Sequence, residues 1–165
     1  MRILAIAEET DPAADIVVLD FDERSRRRAR FKTRGGLEIV LDQEHSRHLR
    51  GGQGFILEDG RQVRIEAREE ALTRIACDDL ATFARIAWHL GNRHLPTQVA
   101  AGTAGGELVI RTDHVIEAMA LQLGGRCTRV HAPFDPEGGA YGPAGGHRGH
   151  HHHHHGHHAV HDHGH

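Results

Sequence analysis

The sequence predicts an α+β protein with an amino-terminal all-β domain, a second domain of βαββαβ order and a flexible histidine-rich tail. Up to about residue 70, short apolar or alternating runs are separated by turn residues, as is typical of strands. Beyond residue 70 the apolar period changes, and helical and strand patterns alternate. Twelve of the last nineteen residues are histidine, a composition that cannot build a hydrophobic core.

The amino-terminal domain, residues 1–70, is predicted from five short strands. These are residues 16–21, 28–33, 37–41, 54–58 and 61–67. Gly35-Gly36 turns the chain between the second and third strands. Asp59-Gly60 favours positive backbone dihedrals and predicts a hairpin between the last two. We therefore expect a small all-β domain with a boundary near residue 71.

The second domain, residues 71–132, combines four strands with two helices. The predicted strands are residues 72–77, 97–101, 107–111 and 127–130. Asp78-Asp79 caps the first helix, which is expected to stop at Gly91, and Thr112 or Asp113 caps the second, which ends at Gly124-Gly125. The expected inward residues are Leu80, Phe83, Ile86, Ala87 and Leu90 in the first helix, and Val115, Ile116, Met119, Ala120 and Leu123 in the second. This order is that of the ferredoxin-like fold, in which helices cover one face of an antiparallel sheet.

The two cysteines, Cys77 and Cys127, form neither a disulfide framework nor a zinc-finger pattern, because the chain has no CxxC pair. In the ferredoxin-like strand order the first and last strands are neighbours, so the two thiols can come close. We favour two unlinked thiols in a reducing compartment, and a coupled pair remains the alternative.

Charge and hydropathy exclude several classes of partner. The formal net charge is -3 and the pI is near 6.6, which gives no general attraction to nucleic acid or anionic membranes. No apolar run approaches the ~20 residues of a membrane helix, and Glu8 and Glu9 follow the start in place of a signal core. We expect a cytoplasmic protein with no nucleic-acid or membrane partner.

The tail, residues 133–165, is predicted to be flexible, since several prolines and glycines preclude regular structure. Its candidate metal ligands are His147, His150, His151, His152, His153, His154, His155, His157, His158, His161, His163 and His165. Imidazole is a suitable ligand for nickel, zinc and copper, so the histidine content of the tail does not by itself select the metal. The six-histidine run resembles a purification tag, but more histidines follow it, and we favour a native metal-binding tail.

An arginine cluster lies near the amino terminus. It consists of Arg24, Arg26, Arg27, Arg28 and Arg30. A solvated face is the expected arrangement. The alternative is docking onto an acidic protein surface, because guanidinium groups make bidentate contacts to carboxylates. RNA binding is a weaker possibility.

Two histidines outside the tail are candidate ligands from their positions. His94 follows the end of the first helix and precedes Pro96, so it lies in a connecting segment where a rigid scaffold presents it. His114 lies in the first turn of the second helix, where the helix dipole favours a neutral ring. An ordinary surface histidine remains the alternative for each.

Three segments together resemble the UreE family of urease accessory nickel chaperones. They are Gly91-Asn92-Arg93-His94-Leu95-Pro96, Asp113-His114-Val115-Ile116-Glu117-Ala118-Met119, and Pro133-Phe134-Asp135-Pro136-Glu137-Gly138-Gly139-Ala140-Tyr141-Gly142. Asp22-Glu23-Arg24 and Leu57-Glu58-Asp59-Gly60 are similar to the amino-terminal half of the family. The resemblance covers essentially the whole chain.

The resemblance implies a non-enzymatic nickel chaperone that delivers Ni²⁺ to the urease maturation complex. It implies a peptide-binding-like first domain, a homodimer in which His94 pairs with its symmetry mate around one metal ion, and a urease accessory GTPase that passes the metal to apo-urease. His114 matches a second, peripheral family histidine, but Thr112 stands where some relatives have another histidine. Zinc or copper binding, and a role as a histidine-rich nickel or zinc store, remain alternatives, and a metal-dependent hydrolase is disfavoured because no HExxH-like set exists.

Overall fold

The computed structural model describes residues 1–102 and 105–138. The elements in these residues are β1 (Ile3–Ala7), β2 (Asp15–Leu19), α1 (Phe21–Arg24), β3 (Arg28–Lys32), β4 (Glu38–Asp42), β5 (Gly54–Leu57), β6 (Gln62–Ala67), β7 (Glu69–Ala76), α2 (Leu80–Asn92), β8 (Gln98–Ala100), β9 (Glu107–Arg111), α3 (His114–Gln122) and β10 (Arg126–Pro133). The predicted mixed α+β architecture is confirmed.

Six strands and one short helix make up the amino-terminal half. One sheet has the order β1-β5-β6-β2, in which β2 runs parallel to β6 and the other pairs are antiparallel. Strands β3 and β4 form a separate antiparallel ribbon. In both hairpins a backbone hydrogen bond, Thr33 to Leu37 or Leu57 to Arg61, closes a three-residue turn. The last residue of each turn is a glycine with positive φ, Gly36 at 85° and Gly60 at 83°. The inward residues form one core, which includes Val17, Leu41, Phe55 and Ile65.

The prediction that this half is all-β is wrong at helix α1. The apolar run 16–21 forms a strand only as far as Leu19, and the chain then turns into a helix. Asp20 accepts the N–H of Glu23, and the Glu23 carboxylate accepts the N–H of Asp20. This reciprocal capping box satisfies two backbone donors locally, which favours a helical turn over a longer strand.

The second half is built on a sheet of order β10-β7-β9-β8 in which every neighbouring pair is antiparallel. Strand β7 follows β6 after a single residue, Arg68. Helices α2 and α3 cover one face of this sheet and bury Ile75 and Ile110. On the opposite face, Leu72 and Phe134 pack together, and Phe21 of α1 packs against them. The sheet therefore lies between its own helices and the amino-terminal half.

Several details of the second half differ from the sequence prediction, and one is that strand β7 begins at Glu69 rather than at residue 72. Leu80 and Val115, expected to face inward, are 72% and 60% exposed. Both residues lie in the first turn of their helix. The apolar period of a helix shows which face points inward, but not how far along the helix the covering sheet extends. Strand β10 continues to Pro133 rather than ending near residue 130. It is an edge strand, which tolerates a proline because one row of its backbone groups has no partner.

The end of helix α2 also differs, because Gly91 lies inside the helix and His94 follows the Arg93 cap. The N–H of His94 donates to the Gly91 carbonyl at 2.9 Å, and the N–H of Leu95 donates to the Leu90 carbonyl at 3.2 Å. This is the Schellman arrangement, whose left-handed position is usually filled by glycine.

His94 occupies that left-handed position with φ 54°, the one positive φ at a non-glycine residue in the described part of the chain. Helix α3 ends in the same arrangement with Gly124 at φ 94°. A left-handed backbone costs a non-glycine residue about 1–2 kcal/mol. The fold therefore holds His94 in a conformation that opposes stability.

A hydrogen-bonded carboxylate joins helix α3 to the sheet. Glu117 Oε1 accepts from Thr73 Oγ1 at 2.6 Å, and both Glu117 oxygens accept from Arg129, at 3.0 and 2.7 Å. The Arg129 guanidinium first, and the Thr73 hydroxyl second, lower the pKa of Glu117 to about 2. This network stabilises the ionised carboxylate.

We predict that His94→Gly raises the free energy of unfolding by about 1 kcal/mol, because glycine has no Cβ penalty in the left-handed region. His94→Ala keeps the penalty and should give no such gain. Urea unfolding measures both variants. Gly124→Ala is the matched control and should lower the free energy of unfolding by a similar amount. Equal stability of His94→Gly and His94→Ala would contradict the assignment.

Glu117 should make the stability of the fold sensitive to acid. The pKa of Glu117 in the folded chain lies below the ordinary glutamate value of 4.5, so its contribution to stability is full above about pH 4.5 and is lost as pH falls towards 2. The difference in free energy of unfolding between the native chain and Glu117→Gln should therefore shrink over that range. Denaturant unfolding at pH 6, 4 and 3 measures it. A difference that does not change with pH would contradict the prediction.

Candidate metal-binding site

His94 lies in a groove between the amino-terminal half and the second sheet. The groove has a volume of about 560 Å³. Phe21, Ser25 and His48 line it from the amino-terminal half, and the end of α2 and the segment after His94 line the other side. The Schellman turn directs the chain out of α2 at His94. Because of this turn, His94 takes a left-handed backbone conformation that few residue types adopt, and it becomes one of the residues that line the groove.

Residues 134–138, here called the strap, form another wall of the groove. Phe134 is fully buried, and its ring lies 5.3 Å from that of Phe21. The N–H of Asp135 donates to Gln98 Oε1 at 3.2 Å, and the N–H of Glu137 donates to the Thr97 carbonyl at 2.9 Å. The strap is thus fixed to the segment that follows His94, and Glu137 and Gly138 line the same groove as His94.

Arg24 is fully buried where the strap meets the amino-terminal half, so the prediction that it lies on a solvated face is wrong. Its Nη1 donates to the Leu49 carbonyl at 3.1 Å, its Nη2 donates to the Phe134 carbonyl, and Nη1 lies 4.0 Å from Asp135 Oδ1. The reason is local, since Arg24 is the last residue of the unpredicted helix α1. The other four arginines of the cluster, Arg26, Arg27, Arg28 and Arg30, are exposed.

His48 is a groove residue to which the sequence assigned no role. Its Nδ1 lies 3.0 Å from Ser25 Oγ, and its Nε2 lies 3.5 Å from both Arg24 Nη1 and Asp135 Oδ1. Burial first, and the Arg24 guanidinium second, lower the pKa of His48, while Asp135 opposes the shift. Both ring nitrogens have polar neighbours in the described chain, so we regard His48 as part of the packing and not as a metal ligand. No local pattern marks it, because its neighbours are 23 or more residues away.

His114 is the first residue of α3, in the first turn of the helix as the sequence predicts, and its side chain is exposed. Two acidic residues lie near it along the chain: Asp113, the helix cap, which accepts the N–H groups of Val115 and Ile116, and Glu117, one helical turn later. The Glu117 carboxylate is occupied by Arg129 and Thr73, as described above. His114 therefore gains no free carboxylate from its own helix, and within the described chain it is a single imidazole donor.

The tail ligands lie outside the described residues. They are His147, His150, His151, His152, His153, His154, His155, His157, His158, His161, His163 and His165. Within residues 1–102 and 105–138, no group of three or more histidine, cysteine, aspartate or glutamate side chains is placed to hold a metal ion. In this part of one chain, His94 is thus an exposed donor without a complete ligand set.

The cysteines are unlinked and add no donor at the groove. Cys127 lies opposite Ile75 on the neighbouring strand, so Cys77, two residues after Ile75 and just beyond the end of β7, is its diagonal neighbour. Burial, the largest cause in both cases, raises the pKa of both thiols. Neutral thiols are favoured, as expected for core cysteines.

Comparison with known proteins identifies the family. The family model described as the UreE urease accessory protein N-terminal domain matches residues 2–68, and the model of the C-terminal domain matches residues 70–165. As a separate observation, no helix in the described residues is long and apolar enough to cross a membrane.

Several relatives carry the description urease accessory protein UreE. Those of Bradyrhizobium sp. strains ORS 278 and BTAi1 are 51% and 52% identical over 140 residues, which is 85% of this chain and 65% and 66% of theirs. That of Beijerinckia indica is 49% identical over 135 residues, which is 82% of this chain and 76% of the relative. The chain thus spans slightly less than two thirds of the two Bradyrhizobium proteins. The family resemblance found in the sequence is confirmed: the chain belongs to the UreE urease accessory protein family.

Proposed function

We propose that the chain is a nickel-binding metallochaperone, not an enzyme, that delivers Ni²⁺ for assembly of the urease metallocentre. The name of the family supports a role in urease maturation. The observation that carries the metal role is that His94 and the strap line one groove, and the strap leads towards the tail histidines. Nickel as the metal and the cytoplasm as the compartment stay predictions.

The distance along the chain allows the tail to reach His94. His147 follows Gly138, at the end of the strap, by nine residues. Nine residues span at most about 30 Å when fully extended. Tail imidazoles tethered at this distance experience an effective concentration in the millimolar range, far above that of free competitors in dilute solution. They can therefore capture an ion and present it at His94.

A homodimer would complete the ligand set that one described chain lacks. A two-fold axis near His94 converts one imidazole donor into two. Two exposed apolar side chains support such an interface. Trp88, six residues before His94, is 63% exposed, and Val99, which lines the groove, is 51% exposed. His114 is proposed as a weaker, peripheral ligand.

Release follows from the same incomplete ligand set. Two His94 imidazoles leave coordination positions that exchangeable tail imidazoles or a partner can occupy. The partner is proposed to be the urease accessory GTPase, which passes the ion to apo-urease. Imidazole binds Cu²⁺ more strongly than Ni²⁺, so preference for nickel has to come from geometry and cellular availability.

The domain assignment forms part of the proposal. Residues 1–70 would form the peptide-binding-like domain, residues 71–132 a ferredoxin-like domain and residues 133–165 the tail. The strand order β10-β7-β9-β8 and the separation of the amino-terminal core from the core under α2 and α3 support this division. The structure describes the first six residues of the proposed tail, 133–138, and residues 134–138 of these form the strap.

A nickel or zinc store is the second candidate, favoured by the twelve tail histidines. The two functions differ in their dependence on His94. A store needs only the tail, whereas a chaperone needs a defined site from which one ion is transferred.

Nickel and zinc calorimetry with mass determination in solution tests the proposal on four forms. These are the intact chain, a chain truncated after Gly146, His94→Ala, and the combination of both changes. Truncation should remove several weaker ions, while one tight ion per dimer persists and is lost in His94→Ala. The physical reason is that the Schellman turn holds His94 in place without the tail.

His89→Ala is the matched control, because His89 lies in the last turn of the same helix. It should leave the tight step unchanged. Loss of all binding on truncation alone would identify the chain as a metal store and contradict the chaperone proposal.

A further inference from the structure

The buried charge of Arg24 is costly for the fold. The side chain is fully buried, and its Nε has no hydrogen-bond partner among the described residues. Burial lowers the pKa of Arg24, and the charges of Asp135, Glu70 and Asp20 only partly oppose this. An apolar side chain of similar size often packs in such a place at no loss of stability. The contacts of the guanidinium therefore suggest a role beyond packing.

The guanidinium connects three segments that are far apart in sequence. Arg24 lies on α1, Leu49 on the loop before β5, and Phe134 on the strap, and one nitrogen of the fork donates to each of the two carbonyls. The planar fork fixes two directions at once, which the single ammonium group of a lysine does not. Arg24 thus holds the strap in one position relative to the amino-terminal half.

The strap carries this constraint to the groove. From Phe134 the chain continues through Pro136, which is buried, to the hydrogen bond between Glu137 and Thr97. Glu137 and Gly138 then face the groove together with His94. A displacement of Phe134 would therefore move the wall beside His94 and the point from which the tail departs.

We propose that Arg24 is a positioning residue for the His94 site: its buried guanidinium holds the strap so that the amino-terminal domain sets the geometry of the groove. This rests on the function proposed above for His94. It gives the amino-terminal domain a part in metal binding without any ligand of its own. A partner that contacts α1 or the loop before β5 could act on the metal site through the same residue.

The test compares Arg24→Met with Arg28→Met in the full-length chain. Arg28 is the matched control, since it is four residues away, 66% exposed and paired with Asp42 at the surface. Hydrogen exchange read by NMR reports the strap through the Glu137 amide, and nickel calorimetry reports the step that is lost in His94→Ala. If Arg24→Met does not fold, Arg24→Lys gives the same comparison, because an ammonium group cannot reproduce the fork.

In Arg24→Met we expect exchange at Glu137 to accelerate at least about tenfold and the affinity of the His94-dependent step to fall about three- to tenfold, a typical size for coupling between linked sites. Arg28→Met should change neither. A lower unfolding midpoint with unchanged exchange and affinity would overturn the proposal and make Arg24 merely structural. Absence of a His94-dependent step in the native chain would instead contradict the proposed function, and exchange at Glu137 would still decide whether Arg24 holds the strap.

Discussion

The architecture depends on the pairing of β7 with β10. These strands form eight consecutive antiparallel pairs, from Arg126 opposite Ala76 to Pro133 opposite Glu69. A single residue, Arg68, separates β7 from β6, the last strand of the amino-terminal half. The register between β7 and β10 therefore determines where β10 ends relative to that half. Because β10 ends beside Glu69, the chain that follows emerges next to α1. The position of the strap, and through it one wall of the groove, is a consequence of that register.

The backbone conformation of His94 opposes the stability of the fold at the groove. Two helices of this domain end in the same hydrogen-bonded turn, one with glycine and one with histidine in the left-handed position. Glycine would be the less costly choice at both. Strained residues that persist in folded proteins are concentrated at functional sites. Histidine adopts the left-handed region more often than most non-glycine residues, and its place here agrees with the role proposed for the imidazole.

Local patterns in the sequence predict the elements well where short-range chemistry decides the structure. Asp79 and Asp113 cap the two long helices, and Gly60 turns the predicted hairpin, because each effect acts within a few residues. The capping box at Asp20 and Glu23 is equally local and could have been found from its DxxE spacing. Without it, Arg24 was assigned to the solvated arginine cluster.

The groove could be predicted only in part. His94 was identified by its position after a helix and by family resemblance, but the companions that shape its surroundings could not be. Arg24, His48 and Phe134 meet because β7 and β10 bring together segments as much as 110 residues apart. An arginine run has the same composition whether a member is exposed or buried. Burial of Arg24 becomes visible only when the strap is placed over it.

For the proposed metal transfer, the incomplete ligand set of the described chain would be an advantage. A rigid site with four ligands from one chain would hold Ni²⁺ strongly, but a recipient would then have to replace every ligand before the ion could leave. A site with one rigid imidazole per chain and further donors on a flexible tether can lose its ligands one at a time. Each step then exchanges one imidazole for one ligand of the partner. Rigidity is then needed at a single residue. In the proposed chaperone, the Schellman turn and the strap would provide this rigidity at His94, at a cost in stability that a storage protein would have no reason to bear.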